Sequence, residues 1–171
     1  AIGPRNVSLT AEIAEGWLPV LFSPERSKTV FEGALEEGMA ARDPGLGSLE
    51  VVPSVQALVT DDLNSGRLAL KPALALYIGG MGAKGRNFYN DLVTRYGFEE
   101  AATGIQDLYL SGQKEEAVAA VPDQLVDELC LVGKTERIRD RLEAWRESGV
   151  SGLAIGTSDL STLRTLAELA L

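Results

Sequence analysis

The first six residues, Ala1-Ile2-Gly3-Pro4-Arg5-Asn6, have types and spacing suited to holding an anion. Ala1 and Ile2 read as the end of a buried strand. Gly3, lacking a side chain, lets a ligand approach the backbone closely. Pro4 suits the first helical position, where its missing N–H is no loss. The N–H groups of Arg5, Asn6 and Val7 are then expected to point out of the helix start, where the macrodipole adds positive potential. Arg5 can add a bidentate contact to a phosphate. The same residues also read as a plain Gly-Pro helix start that needs no ligand.

Three further groups carry weaker signals. The glycine-dense stretch Gly79–Asn87 (GGMGAKGRN) is a candidate lid or substrate-side loop, with Lys84 and Arg86 able to meet an anionic group. It also reads as a solvated linker between helices, and it lacks the Gly-Lys-Ser/Thr ending of a phosphate loop. Thr157, Ser158 and Asp159 follow an apolar run at a strand end, where barrel enzymes place ligand contacts, yet they serve equally as a helix cap. Trp17 can line a cofactor pocket or simply fill the core. Cys130, amid LCLV, reads as packing, and the pairs Glu36-Glu37 and Glu99-Glu100 read as solvated charge.

The chain contains no histidine. A Ser-His-Asp triad, a His-rich zinc site and a His general base are therefore excluded within it, and no metal site is expected. Its 171 residues are 45% hydrophobic and 24% charged, an ordinary globular composition for one domain. A net charge of −9 makes nucleic acid and anionic membranes poor partners. A lone cysteine permits no intrachain disulfide, and no apolar run approaches the roughly 18 to 20 residues of a membrane span, so the expected location is the cytoplasm.

The elements that must position these groups alternate. A helix is expected from Pro4 to Glu15, stopped by Gly16, followed by a buried strand over Trp17–Phe22. A second helix runs from Ser23-Pro24 to about Arg42. The β-branched run Leu49–Thr60 is expected to pair over Ser54–Thr60, because Pro53 cannot donate to a ladder. Asp61 and Asp62 supply caps for a helix through Ile78, which Pro72 should kink. Helical patterns follow over Phe88–Tyr96, Phe98–Ser111, Lys114–Ala120 and Pro122–Leu129. An amphipathic helix over Thr135–Ser148, a short strand over Gly152–Gly156 and a helix from Asp159 to Leu171 complete the order. Short buried strands between helices imply right-handed βαβ units and a parallel sheet.

The run AIGPRNVSLTAEIAEGWLPVLFSP resembles the fifth-strand segment of luciferase-like flavin and deazaflavin oxidoreductases. The runs YIGGMGAKGRNFYNDLVTRYGF and ELCLVGKTERIRDRLEAWRESGVSGLAIG resemble actinobacterial members that use the 5-deazaflavin coenzyme F420. The resemblance covers essentially the whole chain, in order. It implies an α/β fold: the C-terminal portion of a (β/α)8 TIM-type barrel, from the end of strand five through helix eight. Residues 1–171 would form one partial barrel, with a helical insertion over about 79–130 before the last strand. It also implies that Ile2, Gly3, Pro4, Arg5 and Asn6 hold the phosphate of coenzyme F420, with FMN as the alternative cofactor.

A complete barrel of this type needs roughly 250 residues, and the family places most residues facing the deazaflavin ring in the first half. The family's catalytic residues therefore cannot be carried over onto this chain. The expected activity is hydride transfer between F420 and a small organic substrate, with this segment anchoring the cofactor. An FMN-dependent monooxygenase is the alternative within the family. A non-catalytic half-barrel that self-associates through its sheet edges is the alternative outside it. The expected partners are the N-terminal half of the barrel or a second copy, giving a homodimer.

Overall fold

The computed structural model describes residues 1–170. Its strands are β1 (Gly16–Trp17), β2 (Glu50–Val51), β3 (Ser54–Val59), β4 (Leu131–Gly133) and β5 (Ala154–Gly156), all paired in parallel. β2 and β3 are one path divided at Pro53, whose missing N–H breaks the ladder while its carbonyl still accepts from Ala154 at 2.9 Å. The N–H groups of Glu50, Val52 and Ser54 donate to Glu15, Trp17 and Pro19 at 3.0, 2.9 and 2.9 Å. Further along the same edge, Thr60 donates to Gly133 at 2.9 Å, so the β1 path and β4 share one flank of the central strand. β5 takes the other flank.

Side chains alternate across this sheet. Trp17, Val55 and Ala57 are buried toward the helices, whereas Leu18, Ser54 and Gln56 are exposed on the opposite face. On that opposite face Gln56 lies over Gly156, where an added Cβ would sit 2.4 Å from its amide nitrogen.

The helices are α1 (Pro4–Ile13), α2 (Ser27–Ala41), α3 (Leu63–Ala75), α4 (Phe88–Arg95), α5 (Glu99–Leu110), α6 (Lys114–Ala119), α7 (Asp123–Leu129), α8 (Thr135–Glu147) and α9 (Leu160–Ala170). α1 and α2 cross closely at Gly38, where an added Cβ would meet the Ser8 carbonyl oxygen at 2.0 Å. Among the described residues no helix is long and apolar enough to cross a membrane.

Five local expectations change. The strand expected over Trp17–Phe22 is cut to Gly16–Trp17 with one further bridge from Val20 to Ser54. It ends because Leu21 turns left-handed at φ 53°, a conformation that suits few side chains. The second helix begins at Ser27 rather than at Ser23-Pro24. The helix capped by Asp62 runs through Pro72 and passes at Leu76–Gly80 into a π-helix, so Gly79 and Gly80 are helical, not loop. They lie flat against Tyr109, which leaves no room for a Cβ at either position. Leu131–Gly133 is a strand, although its apolar run is too short to tell from a helix end. Ala1 and Ile2 form no ladder.

Candidate functional site

α1 starts with Pro4 at its first position and Gly3 as the cap, and no side chain bonds its free amides. Val7 donates to the Gly3 carbonyl at 3.0 Å, so its N–H is not available to a ligand, contrary to the expectation from sequence. The N–H groups of Arg5 and Asn6 have no partner among the described residues, and both side chains are exposed. Two donors and one guanidinium therefore remain at the helix start.

The backbone leading into this turn is held from two sides. Trp17 donates its indole N–H to the Ala1 carbonyl at 3.0 Å, and Arg95 donates to the Ile2 carbonyl at 3.1 Å. Trp17 is 2% exposed and packs edge-on against Phe31 at 5.0 Å. It is thus a core residue whose polar edge positions the candidate cradle. The sequence offered no signal for Arg95, because its partner lies 93 residues away.

The glycine-dense stretch ends beside this turn. Phe88, at the start of α4 and 67% exposed, has its ring edge 4.0 Å from where a Gly3 Cβ would stand. Asn87 is buried, caps α4 by accepting from Tyr89 and Asn90, and donates to the carbonyls of Tyr77 and Ile78, both at 3.0 Å. Asn90 donates to Ile78 and Ala102 at 3.1 and 2.7 Å. These two amides satisfy carbonyls of the irregular turn and tie the loop exit to it. Lys84 pairs with Asp107 at 2.6 Å, both exposed, so its charge is partly engaged. Arg86 is exposed and makes no ion pair among the described residues.

A second cluster fixes the end of the β1 path. The Tyr96 hydroxyl donates to the left-handed Leu21 carbonyl at 2.9 Å and accepts from Ser23 N–H at 3.3 Å. Burial raises the Tyr96 pKa, keeping the hydroxyl a neutral donor. Arg26 grips Glu128 through two bonds of 2.6 and 2.9 Å and donates to the Tyr96 carbonyl at 2.6 Å. Burial pushes the Glu128 carboxyl up, but bonds from Arg26, Gln124 and Ser23 together hold it below the usual range. No sequence pattern joined these residues.

Asp159 accepts from the N–H groups of Ser161 and Thr162 and from both their hydroxyls, which holds its pKa far below the usual carboxylate range. The stretch after β5 is therefore a helix cap. The buried Thr162 hydroxyl also accepts from Val59 N–H at 2.9 Å, closing the end of β3.

The sequence profile of the luciferase-like monooxygenase family matches residues 1–152. A protein of Mycobacterium tuberculosis (strain ATCC 25618 / H37Rv), provisionally named a coenzyme F420-dependent oxidoreductase, is 37% identical over 173 residues. The match takes in 99% of this chain and 49% of that protein, so the chain spans about half the length of this relative. The coenzyme F420-dependent tetrahydromethanopterin reductase of Methanopyrus kandleri superposes with a TM-score of 0.67 at 20% identity, over 99% of this chain and 47% of that one. An F420-dependent secondary alcohol dehydrogenase bound to an F420–acetone adduct superposes at 0.61 and 18% identity, over 97% and 44%. At such identities the two structures speak for the fold alone.

Proposed function

The chain belongs to the luciferase-like monooxygenase family, and from that premise we propose that it forms the cofactor-anchoring part of a coenzyme F420-dependent oxidoreductase. The name of the 37%-identical relative supports the choice of cofactor. The observation that carries the anchoring role is at Gly3. Its φ of −72° is open to any residue, and an added Cβ would meet only Phe88, at 4.0 Å. Neither backbone nor packing requires glycine there. A ligand phosphate resting on the unbonded N–H groups of Arg5 and Asn6 would require it.

On this reading Ile2, Gly3, Pro4, Arg5 and Asn6 form the cradle. Pro4 sets the helix start, Ile2 offers the backbone that Arg95 holds, and Arg5 supplies the compensating charge. When bound, the deazaflavin supplies the carbon that gives or takes a hydride, so the protein's task is position and electrostatics. Lys84 and Arg86 lie on the substrate-side loop, where they would meet an anionic group of a small organic substrate. The edge of β5, paired among the described residues only with β3, supports continuation of the sheet by further barrel strands or by a second copy in a homodimer.

Titration of the full-length protein with coenzyme F420 and with FMN, followed by absorbance and fluorescence, tests the proposal. The expected result is saturable binding of F420, lost in Gly3→Val and Arg5→Glu while the thermal melt is unchanged. Binding of FMN alone would replace the cofactor assignment. Binding of neither would overturn the anchoring role.

A further inference from the structure

On the helix side of the sheet, away from Leu18 and Gln56, α2 and the C-terminal end of α8 stand apart and leave a groove of about 680 Å³. Its base is the packed ring cluster of Trp17, Phe22 and Phe31, each only 2–4% exposed, so the apolar surface open to a ligand is carried by Leu35, Met39 and Val51. Phe22 and Phe31 stack with centroids 6.0 Å apart, and Trp17 meets Phe31 edge-on. Leu35 and Met39 continue the Phe31 stripe along α2 at intervals of four residues, and Met39 is 42% exposed. The groove runs along α2 from Ser27 to Met39, about 20 Å at 1.5 Å per residue.

The rim is acidic. Glu32 is paired with Lys28 at 3.6 Å, and Glu25 is taken by Arg141. Glu36 on α2 and Glu147 on α8 face the groove from its two walls with no cation beside either among the described residues. An apolar floor between unpaired carboxylates matches an apolar stripe flanked by Lys or Arg. The length and openness suit a helix better than a small molecule. The chain's own net charge of −9 disfavours a second copy as the occupant. The groove lining does not include the α1 start but shares Trp17 with it, so peptide binding is measured without added cofactor.

We infer that the groove between α2 and α8 docks a basic amphipathic helix of a partner protein. The test uses the full-length protein and a fluorescein-labelled helical peptide of about 14 residues, with Leu at i, i+3, i+4 and i+7 and Lys or Arg on the flanks. A peptide with Glu on the flanks is the control. Anisotropy should show saturable binding of the basic peptide only, weakened by added salt. Glu36→Lys with Glu147→Lys should weaken it about tenfold or more, a change of at least ~1.4 kcal/mol, with an unchanged melt and circular dichroism spectrum. Glu115→Lys, on α6 and outside the groove, should leave binding as it was. Equal binding of both peptides, no binding, or indifference to the Glu36 and Glu147 reversal would overturn the inference. So would sedimentation showing a dimer that the same reversal dissolves, since the occupant would then be a second copy.

Discussion

The indole N–H of Trp17 donates to the carbonyl of Ala1 at 3.0 Å, joining the most buried aromatic cluster to the backbone that enters the Gly3-Pro4 turn. A core side chain therefore sets the position of an exposed helix start. Trp17→Phe keeps most of the ring contact with Phe31 but removes this donor. It should cost about 1–2 kcal/mol in urea unfolding, near the net worth of one hydrogen bond plus a small packing loss. If the α1 start holds the cofactor as proposed, F420 affinity should fall several-fold. An unchanged affinity in the folded variant would show that Trp17 does not position the cradle.

Gly38 acts on the same helix from below. With the Ser8 carbonyl oxygen 2.0 Å from an added Cβ and Ala11 Cβ at 2.7 Å, Gly38→Ala must push α1 off α2. Backbone lies on the other side, so no rotamer change relieves it. A loss of about 2–3 kcal/mol is expected by denaturant unfolding, at the upper end for overpacking. Gly33→Ala, on the same helix with open space around its Cβ position, should be neutral or stabilising by about 0.5–1 kcal/mol.

Glu128→Gln leaves Arg26 without its carboxylate in a largely buried place. About 3 kcal/mol should be lost, the low end for a broken buried pair, because the Arg26 side chain is 31% exposed. The Glu128 pKa is lowered in the folded protein, so its charged form adds stability above the usual carboxylate range that is lost as pH falls through the folded value. Stability measured against pH should therefore drop less steeply below pH ~4 in the Gln variant than in the wild type.

Cys130 is 2% exposed, and burial pushes its thiol up to about 12. Alkylation by iodoacetamide at pH 8 should be negligible in the native protein and complete in guanidinium. A raised pKa contributes stability below the unfolded thiol's value, lost as pH rises from about 9 toward 12. Cys130→Ala should flatten that alkaline decline, and rapid native alkylation would contradict the burial.

Thr162→Val removes the acceptor that satisfies Val59 N–H at the end of β3. An unsatisfied buried donor costs about 1–3 kcal/mol, whereas Thr162→Ser keeps the oxygen and should cost less. Hydrogen exchange at the Val59 amide should accelerate in the Val variant and stay slow in the Ser variant.

The α/β order, the parallel pairing, the break at Pro53 and the family were legible in the sequence alone. Each rests on local chemistry: hydrophobic period, proline's missing donor, Asp62 as a cap and an unbroken likeness of motifs. The helix start at Gly3-Pro4 was legible for the same reason, since a Gly-Pro start is written in adjacent residues; its role as a phosphate cradle came from the likeness of motifs and is a proposal.

Tertiary contact decided the rest. Leu21 turns left-handed beside Tyr96, whose hydroxyl bonds its carbonyl from 75 residues away, and this shortens a strand that composition extended to Phe22. The helix expected to end at Ile78 continues as a π-helix because Asn87 and Asn90 satisfy its carbonyls and Tyr109 fills the space above Gly79 and Gly80. Trp17 and Arg95 acquire their positioning roles only once Ala1 and Ile2 are folded beside them. Hydrophobic period and capping residues act within a few positions, whereas hydrogen-bond partners 16 to 93 residues apart are chosen by the packing of the whole chain.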